Sequence, residues 1–174
     1  MILHKLGLFN RNQTGFTLIE MLAVVAITGF IALGASMATI QVLNQSARNT
    51  DYTAASRYTL NAINWISVDA QMAQTMQTDG ASGFPLTLRW VGWDNKTYEV
   101  VYSLEDNKLR RSYSIDDGEP SEISVAEYIN TDTQLTNCVS DNGVLTLRVT
   151  SSVGEGRQTC TVTKVRDISS RPSL

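Results

Sequence analysis

Hydrophobic positions fall into two regimes along the chain. From Phe16 to about Ile40 nearly every residue is apolar, no proline interrupts, and Glu20 is the only ionisable side chain between Gly15 and Ala47. A run of about 25 residues rises roughly 37 Å as an α-helix, enough to cross a hydrocarbon core of about 30 Å. Polar residues then enter at Gln41, Asn44, Gln45 and Ser46, and no Gly or Pro follows before Gly80. Through this stretch Tyr52, Ala55, Ala62, Ile63, Ile66, Ala70 and Ala73 keep a helical stripe. The pattern predicts one helix from Phe16 to Met76 or Gln77, all-round apolar over 16–40 and amphipathic over 41–77.

The segment Thr78–Gly83, followed by Pro85, ends that helix and opens a different region, 78–174. There the period becomes two. Leu86, Leu88 and Trp90 form one apolar face, Tyr98, Val100, Tyr102 and Leu104 the next, and Leu109, Arg111, Tyr113 and Ile115 a third row. Trp93–Lys96, Glu105–Lys108 and Asp116–Pro120 are turns. Three strands joined this way make an antiparallel meander half buried against the helix stripe. Ser121–Ile129 reads as a short edge strand with Val125 and Ile129 inward, and Asn130–Asn137 as a polar loop. Val144–Val149 and Gln158–Val165 are further strands, and Ser169–Leu174 a frayed end. The fold class is α+β, a long N-terminal helix packed on a C-terminal antiparallel sheet.

Of the acidic residues in the predicted helix, Glu20 and Asp69 stand out. Glu20 lies one turn inside the apolar run, where a carboxylate costs on the order of 2.5–3.5 kcal/mol at a membrane helix centre and less near its end. One explanation is local: Thr17-Leu18-Ile19-Glu20 fits a capping box, and a first-turn acid suits the helix dipole. The other is a partner of opposite charge. Asp69 shares a helix face with Trp65, four residues earlier, and Trp65 is expected to pack in the core, a contact between subunits being the alternative.

The flank of Glu20 favours the partner. Gly15-Phe16-Thr17-Leu18-Ile19-Glu20 stands behind a short segment carrying Lys5 and Arg11 and no acid. It resembles the cleavage and methylation motif of type IV pilins and pseudopilins, most strongly over residues 11–40. The resemblance implies that 1–15 is a cytoplasmic leader, removed by a prepilin peptidase between Gly15 and Phe16. The same enzyme's methylase activity would then modify the new amino group of Phe16. It also implies that Glu20 of one subunit meets the Phe16 ammonium of a neighbour. An unpaired buried charge costs several kcal/mol, so such a pair fixes register. Gly29, Gly34, Ala35 and Ala38 would let helices approach closely.

Partners expected on this basis are the prepilin peptidase, membrane lipid before assembly, and other pilin or pseudopilin subunits. The basic flank orients the N-terminus into the cytoplasm and 78–174 outside, first in the inner or cytoplasmic membrane and then in an extracytoplasmic pilus or pseudopilus. The chain around Arg57–Met76 and the strand-turn-strand region resemble minor pilins and pseudopilins more than an abundant pilin, and the proline that many major pilins carry partway along the helix is absent. A competing reading is a signal-anchored or secreted β domain with a binding or enzymatic role. Ala32 and Gly34 offer a conventional cleavage site for it, although a glutamate inside the apolar run is unusual there.

Composition narrows the chemistry. The net charge of −3 and pI near 5.1 come with no basic run, so no nucleic-acid partner is expected. The only histidine, His4, lies in the leader, which weakens any Ser-His or Cys-His catalytic arrangement. No phosphate-binding or nucleophile-elbow motif occurs, two cysteines do not make a zinc site, and Asp116, Asp117 and Glu119 lack calcium-loop spacing. No cofactor, metal or enzymatic activity is expected.

Cys138 and Cys160, an even count in an exported region, are expected to form a disulfide closing a loop of about 22 residues, worth roughly 3 kcal/mol. There is a geometric conflict. In a flat meander the two cysteines would flank the central strand about 9–10 Å apart. A disulfide needs Cα atoms within about 7 Å, so Cys138 must then fold beside or over the Cys160 strand.

Overall fold

The computed structural model describes residues 15–156 and 159–170. The proposed leader, apart from Gly15, lies outside the described residues, as do Gln158 at the start of the last expected strand and 171–174 at the expected frayed end. The chain divides into two units, one ending at Asn44 and the other running from Gln45. Helix α1, Leu18–Met72, contributes to both. Thr17 is its N-cap, since its carbonyl accepts the first helical bond, from Met21 N–H at 3.2 Å.

In the second unit α1 buries one stripe. Ala55, Thr59, Ala62, Ile63, Ile66, Asp69 and Ala70 recur at three- and four-residue steps. Tyr52 is exposed instead, so the stripe begins at Ala55. The helix stops at Met72, short of the expected Met76 or Gln77. Ala73 N–H still bonds the Asp69 carbonyl, but Gln74 N–H turns to Arg89 O at 2.9 Å. The next residues form β1 (Thr75–Thr78), paired antiparallel with β2 (Leu86–Val91). No Gly or Pro marks this stop. The open edge of β2 recruits the chain, β-branched Thr75 and Thr78 suit a strand, and Met76 opposite Leu88 packs on the core.

Beyond β2, β3 (Thr97–Glu105), β4 (Lys108–Ile115) and β5 (Ser121–Ala126) complete a five-stranded antiparallel sheet in sequential order. The three-strand meander is therefore its centre, and Ser121–Ala126 is an edge strand with Val125 buried. The remaining strands, β6 (Asn137–Asp141), β7 (Val144–Val153) and β8 (Cys160–Ser169), form a second sheet, where the sequence pattern indicated a single one. Residues Asp106 and Asn107 join β3 to β4, and Asn142 and Gly143 join β6 to β7. All four have positive φ, as tight hairpin turns require.

One core joins the helix stripe to both sheets. Ile63 and Ile66 share it with Leu86, Leu88, Val100 and Tyr102 of the first sheet and with Leu145, Leu147 and Val149 of the second. Thr59 adds a polar tie, its hydroxyl donating to Ala55 O at 2.9 Å and to Val162 O on β8 at 3.3 Å.

The disulfide expectation is corrected: Cys138 and Cys160 are free thiols. Cys138 on β6 pairs with Leu147, and Cys160 on β8 with Val153, so they lie on opposite sides of β7. To two strand spacings this adds an offset of six residues, about 20 Å along the strand. Cys138 does fold against another segment, but that segment is the loop before β2. Its N–H donates to Ser82 O, and its thiol to Gly83 O, both at 2.9 Å.

Candidate functional site

Residues 15–44 present the first candidate site. Every described residue of this unit is exposed, including Phe16, Leu18, Ile19, Met21, Leu22 and Phe30, and the apolar positions point in all directions around α1. The helix has the length and composition to cross a membrane, with a mean hydropathy of 2.2 over its most apolar window. An added Cβ at Gly29 or Gly34 would meet nothing within 4 Å.

Glu20 forms the reciprocal capping box with Thr17. Its carboxylate accepts from Thr17 N–H at 3.1 Å and from the Thr17 hydroxyl at 3.0 Å, and Glu20 N–H donates to Thr17 Oγ1 at 3.3 Å. The local explanation of this acid is thus realised. It uses hydrogen bonds alone and leaves the negative charge without a cation among the described residues. Gly15, Phe16 and Glu20 stand together at the helix start, whereas Cys138 and Cys160 do not meet.

Tyr102, Asp69 and Arg111 make a second polar centre, in the other unit. Asp69, buried on α1, accepts a hydrogen bond from the Tyr102 hydroxyl. Arg111 holds the same carboxylate with both ends of its fork, Nε to Oδ2 at 2.7 Å and Nη2 to Oδ1 at 3.1 Å. Burial, reinforced by the Asp69 carboxylate, raises the Tyr102 phenol far above its usual range and keeps it a donor. For Arg111 burial alone would favour loss of its proton, but Asp69 outweighs it and the guanidinium is held charged. Its plane lies between aromatic rings, 5.3 Å from the Trp65 centroid and 5.1 Å from that of Tyr113.

Trp65 is therefore no core residue. It is 44% exposed and covers Arg111, which corrects the expectation of core packing. Sequence reasoning placed Trp65 and Asp69 on one face but missed Tyr102 and Arg111. The available signal was an acid at a stripe position, between Ile66 and Ala73, facing a basic residue in an alternating strand. The cluster closes on itself. Its geometry fastens helix to sheet. Asp116, Asp117 and Glu119 occupy an exposed turn, and among the described residues no three His, Cys, Asp or Glu side chains gather as a metal site.

One family match overlaps the first site. Residues 10–36 match the family described as the prokaryotic N-terminal methylation motif. The match covers Gly15, Phe16 and Glu20 and supports a type IV pilin-like precursor, processed by a prepilin peptidase and anchored through its apolar helix. No curated protein and no solved structure matches the chain.

Proposed function

We propose that this chain is a structural, non-enzymatic subunit of a type IV pilus-like filament or of a related secretion or competence pseudopilus, as a minor pilin or pseudopilin. It matures by cleavage after Gly15 and N-methylation of Phe16. The observation that carries the reading is a helical stretch, 18–40, that is apolar on every side within the methylation-motif region and whose only charge, Glu20, sits one turn from the new N-terminus. Lipid covers that surface before assembly, with the second unit outside the membrane, and neighbouring subunits cover it afterwards. Cleavage exposes the Phe16 ammonium, and Glu20 of an adjacent subunit neutralises it. Both charges leave water together, which removes most of the penalty of burying either alone.

The capping box gives this pairing a sharp test. Glu20→Gln keeps an acceptor for Thr17 but carries no charge, whereas Glu20→Ala loses both functions. Both variants are expected to enter the membrane and both to fail to incorporate into filaments. Normal incorporation of Glu20→Gln would show that capping alone explains this residue and would refute the charge pair.

A further inference from the structure

The outward face of α1 in the second unit carries a row of shallow hollows. One hollow there is lined by Ser46, Asn49, Thr50, Thr53, Ala54 and Arg57. A second hollow shares Ala54 and Arg57 and adds Tyr58 and Asn61. One turn further on, Asn64, Trp65 and Val68 line an apolar depression. Positions 46, 50, 53, 57, 61, 64 and 68 advance by threes and fours, so the hollows follow one helical stripe. It faces away from the stripe that binds the sheets. Arg57 is its only charge. The side chain is exposed and has no hydrogen bond or ion pair among the described residues.

The same unit offers a surface of matching chemistry elsewhere. The β4–β5 turn is closed by Gly118 N–H on Ile115 O at 2.9 Å. Asp116 is occupied, accepting from Thr97 N–H at 2.8 Å. Asp117 and Glu119 are exposed and make no hydrogen bond or ion pair among the described residues, although Asp117 acts on Arg89 at a distance. Beside them Ile115 is 37% exposed, an apolar neighbour suited to the Trp65–Val68 depression.

We propose that the α1 stripe receives the β4–β5 turn of a second copy of this chain, with Asp117 and Glu119 set against Arg57. The two patches are different surfaces of one molecule, so the contact is heterologous and makes a ring or an open series rather than a two-fold dimer. This deepens the filament reading and rests on it.

Zero-length carbodiimide cross-linking of the full chain in detergent tests the contact. Arg57→Lys keeps the charge and supplies the reactive amine, and mixed isotope-labelled and unlabelled copies identify links between molecules. The expected product joins the position-57 peptide of one copy to Asp117 or Glu119 of another. Its absence, or its formation only within single molecules, overturns the proposal. In cells, Arg57→Glu and the Asp117→Lys/Glu119→Lys pair should each lower assembly by about tenfold or more, and all three together should restore it to within about twofold. Failure of the combined variant to recover also overturns the proposal. Failure of the filament reading itself is distinguishable, because it appears as a chain left uncut at Gly15.

Discussion

At the scale of single residues, the strongest commitments are made by Asp69 and Gly83. Removing the Asp69 carboxylate leaves Arg111 charged and shielded without its partner, a change that costs about 3–5 kcal/mol in buried pairs. Asp69→Ala should lose about that much in urea unfolding of the full chain in detergent, followed by tryptophan fluorescence. The exposed Arg89–Glu99 bridge, by contrast, should be dispensable. Gly83 has φ +76°, and a Cβ there would lie 1.8 Å from the Cys138 carbonyl oxygen. Gly83→Ala should therefore displace the loop from β6, detected as faster alkylation of Cys138.

Burial pushes the Cys138 thiol from an ordinary value of 9 up to about 12. The folded state then holds a proton that the unfolded chain releases. The contribution is complete below about 9 and is lost as pH rises towards 12. Wild-type stability should decline across that window more steeply than that of Cys138→Ala, as measured by urea midpoints. Parallel slopes would contradict this.

Among the elements, α1 shows how far a local pattern reaches. Its buried stripe was legible because helical spacing is recorded in adjacent turns, and Ile66, fully buried, lies at its centre. Ile66→Ala should cost about 2–5 kcal/mol, read from the same unfolding curves. The helix end was not legible. Met72 precedes no Gly or Pro, and β1 exists because β2 offers it an edge, a fact about distant residues. For the same reason the split into two sheets was hidden, since alternation reports which face is buried but not which strands pair. Trp65 misled because an aromatic residue on an amphipathic helix usually packs inward, whereas here it covers the arginine bound by Asp69.

For the whole molecule, the chain carries two units with different requirements. One carries a core that α1 shares with two sheets, and its stability is set there. The other exposes an apolar helix that water cannot suit, behind a motif whose cleavage would supply the cation for Glu20. Gly15, Phe16 and Glu20 were legible because the motif is contiguous in sequence. The turn and the stripe that would join neighbouring copies were not, because they become complementary only once the sheet has formed. Intact-mass analysis of the membrane-derived protein, with N-terminal fragmentation, reads the maturation at Gly15 and Phe16 itself. A chain beginning at Phe16 and bearing one added methyl group on its amine is expected. A chain retaining Met1, or one beginning at Ala35, would contradict it.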